Sequence, residues 1–148
     1  MLVLVGAAAV LTTADAAEHD ASGVGIGEVT TRVVRTDVDL NAMLRSSLDH
    51  ALHDMDAAHP TPEAKPRHAQ RDVVLSLALQ DMAVDPGAHS VTCSVSVALR
   101  TARGGAMFAV LEGRARVGIE SSRAASVEVR AIDAAVRAAV ARVPDALR

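Results

Sequence analysis

The chain has 148 residues, half of them hydrophobic, with one Phe, one Cys and neither Trp nor Tyr. Its 15 basic and 18 acidic residues leave a net charge of −3, which argues against a nucleic-acid partner, since that would want a basic stripe. One domain is expected at this length, with a core of Val, Leu, Ile, Met and Ala and no intramolecular disulfide.

Residues 1–17, MLVLVGAAAVLTTADAA, form a compositional block of their own. Leu2 to Leu11 is apolar, uncharged and too short to span a bilayer, and Ala14-Asp15-Ala16 offers a small-residue cleavage pattern before Ala17. This predicts a signal peptide over residues 1–16, a periplasmic or secreted mature protein and no transmembrane span. No Lys or Arg precedes the apolar run, so an alternative stays open: residues 2–11 as a core strand of a cytoplasmic domain.

Residues 24–34, VGIGEVTTRVV, read as a first strand, with Gly25 and Gly27 marking a bulge or a close backbone contact. Asp37 or Asp39 can cap the helix that follows. Its apolar stripe is Leu40, Leu44, Leu48, Ala51, Leu52 and Met55, and it should end near Ala57 or Ala58. Residues 59–71 hold Pro60, Pro62 and Pro66 and predict a flexible loop. A second strand sets Val73, Leu75, Leu77 and Leu79 against Val74, Ser76, Ala78 and Gln80. Asp85-Pro86-Gly87 is a turn, because Pro fixes one dihedral and Gly permits a positive one.

Val91 to Leu99 is a third strand, a turn follows at Arg103-Gly104-Gly105, and Met107 to Ile119 is a fourth strand. In that fourth strand Met107, Ala109, Leu111, Ala115, Val117 and Ile119 are in phase. The last helix runs roughly from Ala124 to Arg142, with Val129, Ile132, Val136, Ala139, Val140 and Val143 on one side and Pro144 as its stop. The order β-α-β-β-β-α, one apolar face per strand and one stripe per helix, predicts an α+β domain: a four-stranded sheet with both helices on one face. The other face would carry Ser76, Ser94, Ser96, Arg100, Glu112, Arg114 and Arg116, with Val74, Phe108 and Val110 among them.

No catalytic constellation stands out, and neither catalytic residues nor a cofactor are expected. Gly23, Gly25 and Gly27 are spaced G-x-G-x-G with no helix directly after them, which is not the geometry of a nucleotide loop. His50 and His53 lie three apart on the first helix and are the best metal candidates, with His59 and His68 in the loop as further ligands. On a helical wheel, however, both point away from the apolar stripe, as a solvated polar face would. Cys93 shares the apolar face of its strand with Val91, Val95 and Val97, which predicts a buried, unreactive thiol. His89 is some 13 Å from it along an extended strand, beyond the reach of a catalytic pair. Phe108 and Val110, next to Arg114 and Arg116 on one strand, are the candidate interaction surface, because an aromatic with apolar and Arg neighbours is the composition of binding hot spots.

Residues 40–142 follow the element order of the double-stranded-RNA-binding domain, but the last helix opens at Arg123 without a Lys cluster for phosphates. The stretch GEVTTRVVRTDVDLNAMLRSSLDHAL, residues 27–52, resembles the opening strand and helix of small bacterial envelope accessory proteins. These are the outer-membrane lipoprotein activators of penicillin-binding proteins and the related curli-secretion accessory fold. The resemblance extends in element order over about residues 24–142. It implies a non-enzymatic, protein-binding role in the periplasm, with a protein partner in the cell envelope. No Cys follows the apolar N-terminal block, so the lipid attachment of those proteins has no matching residue here.

Overall fold

The computed structural model describes residues 24–34, 39–58, 73–119 and 124–148. The expected signal peptide at 1–16, the loop at 59–71 with His59 and His68, and Asp37 lie outside the described residues.

Strand β1 (Val24–Thr31) leads into helix α1 (Leu40–Ala58), and three long strands follow: β2 (Val73–Asp85), β3 (Ser90–Thr101) and β4 (Met107–Gly118). Helix α2 (Ala124–Val140) and the short helix α3 (Val143–Ala146) close the chain. The sheet order is β1-β2-β3-β4. β1 runs parallel to β2, as a strand joined to its neighbour through a crossover helix must, and the other two pairings are antiparallel. The fold is thus α+β, with the order β-α-β-β-β-α and both long helices on one face.

Sequence dictates each element locally. At the start of α1, Asp39 Oδ1 accepts the Ala42 amide at 3.0 Å, satisfying one of the four free donors of a first turn. Leu44 and Leu48 are fully buried below it, one turn apart. In β2 the residues Val73, Leu75, Leu77 and Leu79 are all sealed from solvent, as are Val91, Cys93, Val95, Val97 and Leu99 in β3. These rows, the α1 stripe and the buried residues of α2 form one hydrophobic cluster.

Three irregularities modify the expected alternation. A bulge between Leu79 and Asp81 carries β2 on to Asp85, five residues past the expected end at Gln80. A bulge between Ile26 and Val29 interrupts β1, where a Cβ on Gly27 would meet Val74 Cγ1 at 2.5 Å. A third bulge, at the start of β4, sets Met107 opposite Arg100 and breaks the phase with Ala109. Met107 therefore leaves the core row in which alternation had placed it and is 57% exposed.

Helix α2 differs from expectation in the composition of its buried side. Val127, Ala131, Ile132, Ala135, Val136, Ala139 and Val140 are buried, whereas Val129 is 46% exposed. At 100° per residue Val129 falls between the buried Val136 and Val140, so its place nearer the start of the helix and not its angle sets it apart, and alanines fill much of the buried side. The reason is close packing: a Cβ on Gly113 of β4 would overlap the Ala135 carbonyl and come within 2.9 Å of the Ala139 amide nitrogen. Helix backbone lies directly on strand backbone there, and only Gly opposite Ala permits it. The helix gives way at Val140, and Pro144 sits in the first turn of α3, where its missing amide costs no hydrogen bond.

Candidate functional site

The helices leave the second face of the sheet uncovered by any described element. Along β3 that face carries Thr92, Ser94, Ser96 and Ala98, half-buried, and then Arg100, exposed. Their partners on β4 are Arg116, Arg114, Glu112 and Val110 in antiparallel register. On β2 the face carries Val74, Ser76, Ala78 and Gln80, and Gln80 Nε2 donates to Ser96 Oγ at 2.6 Å. The centre of the face is thus a floor of small side chains, and its bulk stands along β4.

At one end of β4, Val110 is 53% and Phe108 is 38% exposed, with Met107 alongside. Arg100 is the cross-strand partner of Met107, which places a cationic residue beside this apolar group. At the other end, Arg116 is held in place: its Nε donates to Ser90 Oγ at 2.9 Å, and Nη2 lies 4.0 Å from Asp85 Oδ2. Asp85 in turn accepts the Ala88 amide at 3.0 Å, closing the β2–β3 turn. Between the two ends lie Glu112 and Arg114, both exposed. All four residues expected to form an interaction surface (Phe108, Val110, Arg114, Arg116) are on β4 and open to solvent. Met107 and Arg100 join them through the bulge, which strict alternation hides. Asp85 joins through the Asp-Pro-Gly turn, a signal visible in sequence but one that does not name its partner.

The histidine candidates lie elsewhere. His50 and His53 are exposed on α1, remote from the outer face, and Nδ1–H of His50 donates to the Ser46 carbonyl at 2.7 Å. Among the described residues no three or more His, Cys, Asp or Glu side chains gather as a metal site would require. Cys93 is fully buried against Met82 of β2. Burial pushes its thiol up to about 11, with the Asp81 carboxylate adding to the effect, so the nucleophilic thiolate is suppressed. His89 is exposed in the β2–β3 turn, whereas Cys93 is buried beneath the helices. A cleft of about 280 Å³ opens between the ends of α1 and α2, walled by Met55, Val140 and Pro144 and by the Asp54–Arg137 ion pair at 3.5 Å. No helix among the described residues is long and apolar enough to cross a membrane.

No protein-family model matches the chain, and no curated protein matches it in sequence. Its fold is similar to that of the hypothetical protein CT253 from Chlamydia trachomatis, at 16% identity and a TM-score of 0.56, covering 84% of this chain and 96% of that one. It is also similar to protein XCC0632 from Xanthomonas campestris, of the DUF330 family, at 12% identity and a TM-score of 0.50, covering 82% and 80%. A looser overlap, with a TM-score of 0.42 and 14% identity, links it to lipoprotein GNA1162 from Neisseria meningitidis, covering 82% and 96%. These are likenesses of fold alone, and no residue role passes from them to this chain.

Proposed function

We propose that this protein is an exported accessory module of the bacterial cell envelope that binds another protein through the outer face of its sheet and catalyses no reaction. The observation that carries the reading is the exposed group of Phe108, Val110 and Met107 beside Arg100 on a sheet face that no described element covers. Apolar and aromatic groups next to Arg are what a buried interface centre uses, because they release water on contact while the guanidinium fixes orientation. The floor of Ser, Thr and Ala beneath them lets a partner approach the sheet closely. Export is supported by the apolar block at residues 2–11 and its Ala14-Asp15-Ala16 cleavage pattern.

Affinity capture from the native cell, with wild type and with Phe108→Asp, tests the docking face. A partner recovered by wild type and lost with the variant supports it, and equal recovery by both refutes that surface. N-terminal sequencing of the mature protein tests export: Ala17 is expected, and an intact Met1 contradicts it.

A further inference from the structure

We infer that the free edge of β4 is a self-recognition edge, which pairs antiparallel with β4 of a second copy about a two-fold axis at Gly113, so that Glu112 of each chain faces Arg114 of the other. β4 ends the sheet: among the described residues it pairs with β3 alone. The Ile119 amide donates to the His89 carbonyl, and the register runs unbroken from there to the pair Leu99–Ala109. In an antiparallel ladder hydrogen-bonded and non-hydrogen-bonded pairs alternate, so the odd-numbered residues of β4 bond to β3. Val110, Glu112, Arg114 and Arg116 then turn their amides and carbonyls outward. The Arg142 guanidinium confirms that direction by donating to the Glu112 carbonyl at 3.4 Å, around the edge of the sheet.

An edge of this length with open backbone groups is a template for strand addition. The side chains select the occupant. Glu112 and Arg114 stand on the same face, two residues apart on either side of Gly113, and neither forms an ion pair among the described residues. Strand self-pairing about Gly113 converts this adjacency into two direct cross-strand contacts of opposite charge, and it sets Val110 against the aliphatic stem of Arg116. On the helix-covered face the same register sets Leu111 against Ala115 and Ala109 against Val117, which extends the apolar row. About eight backbone hydrogen bonds form over residues 110 to 116. A shift by two residues would bring like charges together or strand them, so the charges specify the register as well as the partner.

Because α2 lies on Gly113, self-pairing also brings the two α2 helices together beside the axis, a contact that needs small side chains. Ala138 and Ala134, one and two turns before Arg142 on the side of α2 nearest the edge, are exposed and carry only methyl groups. Arg142 holds the Glu112 carbonyl by a long, weak contact, and its exposed side chain can yield that acceptor to an incoming strand amide. The paired residues 110 to 116 share Val110, Arg114 and Arg116 with the docking face, while Phe108, Met107 and Arg100 lie beyond them.

Sedimentation analysis of wild type, Glu112→Arg, Arg114→Glu and a one-to-one mixture of the two variants tests the inference. Wild type is expected to dimerise with rising concentration, and each variant, facing like charges at both contacts, to dimerise at least about tenfold more weakly. The mixture restores association, because the two positive charges that flank Gly113 in the first variant then meet the two negative charges that flank it in the second. Circular dichroism checks that the variants fold, which exposed positions permit. A monomeric wild type, variants that dimerise as wild type does, or a mixture no tighter than its components each overturns the inference.

Discussion

The two faces of one sheet are built on different chemical rules. The face beneath the helices is closed with aliphatic groups and the Cys93 thiol, in rows such as Leu75-Leu77-Leu79 and Val95-Val97-Leu99, and its tightest point is a contact of backbone with backbone at Gly113. The outer face has a floor of Ser, Thr and Ala and carries the chain's single Phe exposed at its margin. The core holds no aromatic while the one aromatic stands at the surface, and under the proposed function this separates two tasks: inner residues set how well the chain folds, outer residues what it meets. Substitutions on the two faces should therefore fall into two groups with little overlap.

The strongest break is Gly113→Val. Any side chain there must displace the Ala135 carbonyl, so a loss of roughly 3 kcal/mol or outright failure to fold is expected, measured by chemical denaturation. Leu48→Ala, in the buried stripe of α1, should cost about 2–5 kcal/mol through lost burial and the cavity left behind. Cys93 sharpens the comparison by pH. Its thiol stays protonated in the fold up to about 11, while the unfolded chain ionises near the ordinary value of 9.0. The folded state thus binds the extra proton between those values. Stability is fully present below pH 9 and falls as pH rises towards 11, by roughly 2 kcal/mol. Denaturation curves across that range should be flatter for Cys93→Ala than for wild type.

Asp39→Ala removes the cap of α1 and should cost about 1 kcal/mol. Outer-face changes come last: Phe108→Asp and Val110→Asp should each cost only about 1 kcal/mol, through strand propensity and partial burial, while partner recovery collapses. If either costs as much as Leu48→Ala, the separation of the faces is wrong.

Much of this fold was legible because β2 and β3 alternate without exception over their core rows, and because α1 repeats Leu at helical spacing. What stayed hidden has physical causes. Bulges preserve composition while shifting phase, so Met107 read as core, although the irregularity opposite Arg100 turns it outward. Alanine fits a buried or an exposed position equally well. The stripe Val129, Ile132, Val136, Ala139, Val140 and Val143 therefore includes the exposed Val129 and omits the buried Val127, Ala131 and Ala135. The contact of Gly113 with α2 has a signal in retrospect, a glycine in the core phase of a strand with alanines four apart on the facing helix. Nothing in a single sequence pairs those two features. The outer-face residues Phe108, Val110, Arg114 and Arg116 were readable from alternation alone, but the Arg116–Ser90–Asp85 arrangement was not, because it joins three strands.

A photoreactive phenylalanine derivative placed at position 108 or at position 129, in the native cell, tests the central claim most directly. Both sites are apolar and comparably exposed, one at the margin of the uncovered sheet face and the other on the helix layer. A discrete adduct with a different polypeptide is predicted from position 108 and none from position 129. Equal labelling at both, or labelling at 129 alone, would contradict the assignment of recognition to the outer face.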